Sequence, residues 1–464
     1  MGNVFRASCL ASTAIAVALF GISGIKSAHS ESLEQALVSA YLTSPTLGAE
    51  RASLRSADEG VAQAISNWRP TVEFSADAGI EQNESSLRTG SDKVQDRDPR
   101  SYGLNLSQSL FRGGRTLAET SEAENTVMAE RARLVASEQT LLVTAATAYL
   151  DVYRDEAVLE LNKNNEAVLQ RQLEATRDRF QVGEITRTDV HQAAARLARS
   201  TADRIQSEAT LEASRAAYRN TTGAEPSGAL AFPPAPPGLP ESKNESIKEA
   251  AINNPTVIAA QYDERAAIDG IDGVWGELLP TVDFTASASR DFDSAGVNTR
   301  IDTAEALVTL NVPLYQSGSV YSRLREAKQQ AAQFRMIVDR ERRNAAEQAT
   351  RNWENLQAAQ ARASSFRTQI QASQIAFEGV EREAAVGSRT VLDVLDAEQE
   401  LLDARVSYIR AQRDEAVAMF ELLASIGRLT AHNLQLPVDL YDPEVHYQEV
   451  RDMWVGGTST GGVE

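Results

Sequence analysis

The feature that most limits how this chain can fold is an internal duplication. Ser44-Pro45-Thr46 returns as Asn254-Pro255-Thr256, and RPTVEFSADA (69–78) returns as LPTVDFTASA (279–288), each 210 residues later. LFRGG (110–114) returns as LYQSG (314–318), now 204 residues on. That offset persists through VGEITRTDV (182–190) and VGSRTVLDV (386–394) to Gly223 and Gly427. A fixed self-similarity of this length marks one structural unit used twice. The six-residue change of offset falls between Ala78 and Leu110, so the first unit carries the longer loop. The units occupy 31–230 and 243–430, joined by a Pro-rich linker at 231–242 and followed by a tail at 431–464.

Each unit changes texture along its length. Val72, Phe74, Ala76, Ala78 and Ile80 alternate with Thr71, Glu73, Ser75 and Asp77. Tyr102, Leu104, Leu106 and Leu110 then stand against Asn105, Ser107 and Ser109. The second unit repeats this with Val282, Phe284, Ala286 and Ala288, then Val308, Leu310, Val312 and Leu314. Period-two alternation predicts strands with one apolar face. The expected β-hairpins are 70–111 and 280–315, with polar loops at 81–100 and 290–303. Each strand is about as long as the ten residues that a tilted outer-membrane strand needs. A soluble sheet with one face on a core has the same alternation.

The remainder is rich in Ala, Glu, Gln, Arg and Leu, which favour helix. Gly114 to Gly183 and Gly318 to Gly387 have the same spacing, and each stretch predicts a helix of roughly 100 Å at 1.5 Å per residue. Return helices of about half that length run to Gly223 and Gly427, giving long helical hairpins at 115–222 and 319–427. Half-length helical segments precede the hairpins near 32–67 and 243–278. Ala397, Ala404, Ala411 and Ala418 recur every seven residues, matched by Ala193, Ser200, Ser207 and Ser214. A strict heptad of small residues predicts a close-packed coiled-coil seam. The fold expected from the residues is therefore mostly α, built of coiled-coil hairpins, with a small β part of four amphipathic strands.

Composition narrows the function. Arg6, the apolar run 7–25 and the small residues Ala28 and Ser30 read as a signal peptide over 1–30. Cys9, the only cysteine, lies inside it, so no disulfide and no cysteine metal site is expected. A formal charge of −19 disfavours nucleic-acid binding. No HExxH, P-loop or GxSxG occurs, and neither an enzyme, a cofactor nor a metal is expected. After residue 30 no apolar run has transmembrane length, so entry into a membrane requires the strands.

The twice-written V-G-x-x-T-x-x-D-V has a local reading. Gly183 and Gly387 end the long helices in the left-handed conformation. Thr186 and Thr390 are N-caps of the return helices, with Asp189 and Asp393 three residues on as capping-box partners. Arg389 and Asp396 have no counterparts in the first unit, where Ile185 and Gln192 stand.

Taken in order, RPTVEF, SQSLFRGGRT, RFQVGEITRTDV, LPTVDF, VPLYQSGSV and VGSRTVLDVLDAEQELLDAR resemble the TolC family of outer-membrane efflux and type I secretion channels. The resemblance covers about 32 to 430. It implies a homotrimer in which each protomer gives four strands to one twelve-stranded barrel in outer-membrane lipid. The helices then form a periplasmic α-barrel. It also implies partners: a periplasmic adaptor and an inner-membrane ABC or RND transporter. Asp393 and Asp396 match the family's constriction aspartates. Arg389 matches the arginine that ties the inner coiled coil to its neighbour through positions matching Thr188 and Asp189. Five residues before that arginine the family's best-known members have tyrosine, and this chain has Ala384. The competing expectation is an adaptor-like or structural coiled-coil protein of the envelope. The tail lies beyond the resemblance.

Overall fold

A computed structural model describes residues 31–85 and 93–457. The expected signal peptide lies outside them. Along the first unit run α1 (Leu33–Thr43), α2 (Pro45–Ser66), β1 (Thr71–Ala78), β2 (Glu81–Ser85), β3 (Lys93–Arg97), β4 (Arg100–Arg112), α3 (Arg115–Gln181) and α4 (Arg187–Thr222). The second unit has α5 (Lys243–Asn253), α6 (Pro255–Gly276), β5 (Thr281–Phe292), β6 (Arg300–Asn311), α7 (Ser319–Ala385) and α8 (Val391–Ser425). A short α9 (Pro443–Arg451) lies in the tail.

Both long helices have 67 residues, about 100 Å at 1.5 Å per residue. The half-length segments ahead of the hairpins are each two helices, not one. Ser44 ends α1 in an extended conformation and caps α2, and Asn254 does the same between α5 and α6. The cause is the proline that follows. It disfavours helical backbone at the residue before it and suits the first turn of the next helix.

Side by side, α2, α3, α6 and α7 form a row, while α4 and α8 fold back on α3 and α7 as coiled-coil partners. Most of the heptad seam is buried as its spacing requires: Ala193, Ser200, Ala404, Ala411 and Ala418 are all within 5% of full burial, while Ser207, Ser214 and Ala397 are half-buried. The two units use it differently. In the first, the seam serines are hydrogen-bonded: Asn165 donates to Ser200, Asn162 donates to Ser207 at 2.6 Å, and Ser214 donates to Asp155 at 2.6 Å. In the second, the seam is alanine throughout, and Ala418 packs with Leu356 of α7.

The main core lies where α1, α3, α4, the linker and the end of α8 meet, around Tyr149, Tyr218, Leu150, Leu423 and Ile426. Tyr218 donates to the Glu31 carboxylate at 2.5 Å, and Ser227 N–H donates to its other oxygen at 2.6 Å. Tyr149 of α3 donates to the Glu31 carbonyl at 2.8 Å, so the beginning of the described chain is tied to both helices of the first coil.

The four long strands form one antiparallel sheet, in the order β1-β4-β5-β6. Phe74 pairs with Leu104, Leu104 with Ala288, and Phe284 with Val308, so the apolar residues share one face. A bulge between Ser109 and Phe111 shifts the register there. Phe111, opposite Val282, therefore takes the place that alternation assigned to Leu110, because an extra residue flips every later side chain. The 81–100 segment, expected as a loop, instead carries β2 and β3 as a second small ladder above the sheet. The second hairpin's strands run to Phe292 and from Arg300, which shortens the expected 290–303 loop.

Candidate functional site

Two ends of the rod carry the features that bear on function. At one end the sheet leaves β1 and β6 without an outer partner, and its apolar residues are exposed: Phe74 is 68% accessible and Leu310 64%. Open edges expose unpaired backbone groups, which hydrocarbon cannot satisfy.

At the other end lie the two tip turns. Gly183 and Gly387 have φ of +83° and +80°, as helix-ending left-handed residues do. Thr186 caps α4 and accepts from Asp189 N–H, while Asp189 accepts from Thr186 N–H at 2.9 Å. Thr390 and Asp393 make the same reciprocal box at the start of α8. The donors hold the Asp393 carboxyl below the ordinary carboxylate range, the Thr390 backbone N–H most, with Arg389 adding attraction. Asp393 is thus an ionised group at a tip, fixed in place by its own cap.

The remaining tip residues find partners the sequence did not suggest. Arg389 pairs with Glu383 at 2.9 Å, one residue before Ala384. Within the protomer, then, its guanidinium is held by the last turn of α7, while Asp189 is occupied with its own cap. Asp396 pairs with Arg196 of α4, so this carboxylate links the two coils. The clue to Arg196 is the repeat itself. Arg196 aligns with Glu400 and Asp396 with Gln192, so both partners depart from the duplicated pattern. Nearby, Glu398 lines an open cavity of about 470 Å³ with Glu381, Gln374 and Arg405. Burial lifts its carboxyl to about 7, Glu381 adds repulsion and Arg171 opposes the rise.

Midway up the rod, Asp151 receives Arg154 and Arg413 at 2.8 Å each, joining α3 to α8. No helix among the described residues is long and apolar enough to cross a membrane.

An open sheet with an exposed apolar face, carried on coiled-coil hairpins with capped acidic tips, is the protomer of an outer-membrane channel. The chain belongs to the outer membrane efflux protein family, whose model matches residues 36–224 and 246–428, one match per unit. It is similar to the outer membrane efflux protein BepC of Brucella suis biovar 1, at 36% identity, with 98% of each chain covered. It is 27% identical to the outer membrane protein TolC of Vibrio cholerae, covering 87% of this chain and 92% of that one. Among solved structures, the Campylobacter jejuni CmeC outer membrane channel shares the fold at a TM-score of 0.76 and 15% identity, covering 90% of this chain and 89% of that one. The protein is an outer-membrane channel of the efflux and type I secretion class, with its helices extending into the periplasm.

Proposed function

We propose that three copies assemble into a single exit duct, closed at the periplasmic tip and opened by an inner-membrane machine. The observation that carries this reading is the four-stranded sheet with two unpaired edges. Closing it threefold gives twelve strands and pairs every edge. The unit boundaries at 31–230 and 243–430 then describe two similar staves per protomer. The α3–α4 and α7–α8 coils form the tunnel wall.

At the tip, three Asp393 and three Asp396 side chains ring the opening. Arg389 is placed to exchange its Glu383 contact for the neighbouring coil at Thr188 and Asp189. The partners that fit this duct are a periplasmic adaptor and an ABC or RND transporter, as befits relatives that include a protease secretion protein of Dickeya chrysanthemi and efflux proteins. Native mass spectrometry of detergent-solubilised protein tests the assembly: a trimer is expected, and a folded monomer with its full β signal refutes it. Photo-cross-linking from position 188 or 389 in cells is expected to capture an adaptor subunit. Arg389→Ser is expected to raise single-channel conductance in planar bilayers.

A further inference from the structure

The tail, which lies beyond the matched family model, is docked by a specific set of contacts. His446 Nδ1 lies 3.0 Å from the fully buried Asp58 of α2. Tyr447 and Arg451 both reach Glu124 of α3, at 3.3 and 3.0 Å, and Arg131 pairs with Glu444 at 3.3 Å. Val450 is buried among them. These contacts fix α9 along α2 and α3, with its C-terminal end toward the sheet. The chain then delivers Trp454 onto the Arg69 guanidinium, 5.0 Å from its ring centre, and Arg69 donates to the Met453 carbonyl at 2.5 Å. Arg69 stands two residues before β1, so Trp454 lies at the periplasmic rim of the sheet.

Most of its apolar surface stays uncovered there. Trp454 is 67% exposed and Val455 88%. Trp68 and Trp275 lie at the same level, at the helix-to-strand junctions that lead into β1 and β5, and both are exposed. Three of the chain's four tryptophans thus collect at one height, and the fourth, Trp353, packs within the helical body. Tryptophan favours the headgroup layer because its ring is apolar and its N–H needs a polar partner. The patch is continuous with the lipid-facing sheet, whose lowest apolar residue on β1 is the exposed Val72.

We propose that Trp454, with Met453 and Val455, is a membrane-interface anchor that seats the tail in the inner leaflet of the outer membrane. The ligand is the phospholipid headgroup and carbonyl layer. The α9 contacts pre-set the position, so little ordering remains when lipid is engaged. The tail then braces α2 and α3 against the bilayer at the point where rod becomes barrel.

The test is lipid quenching of Trp454. Full-length wild-type protein and Trp454→Phe are inserted into phosphatidylethanolamine–phosphatidylglycerol vesicles, with insertion verified by flotation. The acyl chains are either brominated near the carbonyl or unbrominated. The wild-type-minus-variant emission isolates Trp454, and Trp454→Tyr supplies the same subtraction should the first variant fold poorly. In brominated vesicles the difference emission is expected to lose most of its intensity while resisting acrylamide. Quenching by acrylamide and not by bromine puts the ring in water and overturns the proposal. Insensitivity to both puts it against a neighbouring protomer and overturns it equally.

Discussion

Removing the Arg196–Asp396 ion pair should loosen the periplasmic tip. The pair bridges α4 and α8, two helices that otherwise touch at few points, so little packing between them exists to compensate for its loss. Arg196 is 29% exposed and Asp396 56%, which places the pair in the surface regime of about 0.5–1 kcal/mol. Three copies in a threefold tip sum to about 1.5–3 kcal/mol. At 1.4 kcal/mol per factor of ten, the open-to-closed ratio should rise roughly 10- to 100-fold. The assay is open probability in planar bilayers for Arg196→Gln, for Asp396→Asn and for the charge swap Arg196→Asp with Asp396→Arg. Both single variants should open more readily, and the swap should recover much of the wild-type closure. Raising salt from 0.1 to about 1 M shortens the screening length from about 10 to 3 Å, so it should mimic the single variants in the wild type and do little in them. Single variants indistinguishable from wild type at low salt would refute the reasoning, as would a swap no better than either single.

The other expectations concern charge, backbone and pH. A ring of Asp393 carboxylates, kept ionised by their caps, should bind trivalent cations, because one such ion relieves several repulsions. Micromolar trivalent cation should therefore block the channel from the periplasmic side. Asp393→Ala with Asp396→Ala should abolish the block in intact trimers, and undiminished block in that variant would rule the ring out. Gly113→Ala should lower the thermal midpoint by far more than Gly114→Ala. Both positions have positive φ, costing roughly 1–3 kcal/mol, but only at Gly113 would the new Cβ lie 2.2 Å from the Gly276 carbonyl. Equal losses in a melting experiment would contradict this. For Glu398 the folded pKa is raised from 4.5 to about 7. Its contribution to stability is therefore full below about pH 4.5 and is lost as pH rises through about 7. With the partial exposure of the site discounted, Glu398→Gln should gain on the order of 1–2 kcal/mol relative to wild type at pH 8. Thermal melts from pH 4 to 8 that run parallel for the two proteins would show that the carboxyl is not penalised by burial.

The duplication, the alternating strands, the lengths of the long helices and both tip turns were legible in the sequence alone. All of them depend on interactions within a few residues or on periodicity. A capping box closes over three positions, a left-handed glycine acts on its own turn, and strand alternation reports its face wherever the strand lies. The breaks at Ser44 and Asn254 were equally local and stood in the Ser-Pro-Thr and Asn-Pro-Thr repeats, but helical composition on both sides masked them.

Only the tertiary structure decided which partners meet across the chain. The bulge at Ser109–Phe111 puts Phe111 rather than Leu110 opposite Val282, and a register shift leaves no mark in the hydrophobic pattern. Asp396 is 200 residues from Arg196, and whether they touch depends on how two coils lie beside each other. Asp58 looks like any helix-surface aspartate until α9 returns from 388 residues away to cover it with His446. Propensity and periodicity specify each element and its buried stripe. They do not specify which distant side chain arrives on that stripe, because that depends on the relative placement of whole helices, which packing alone sets.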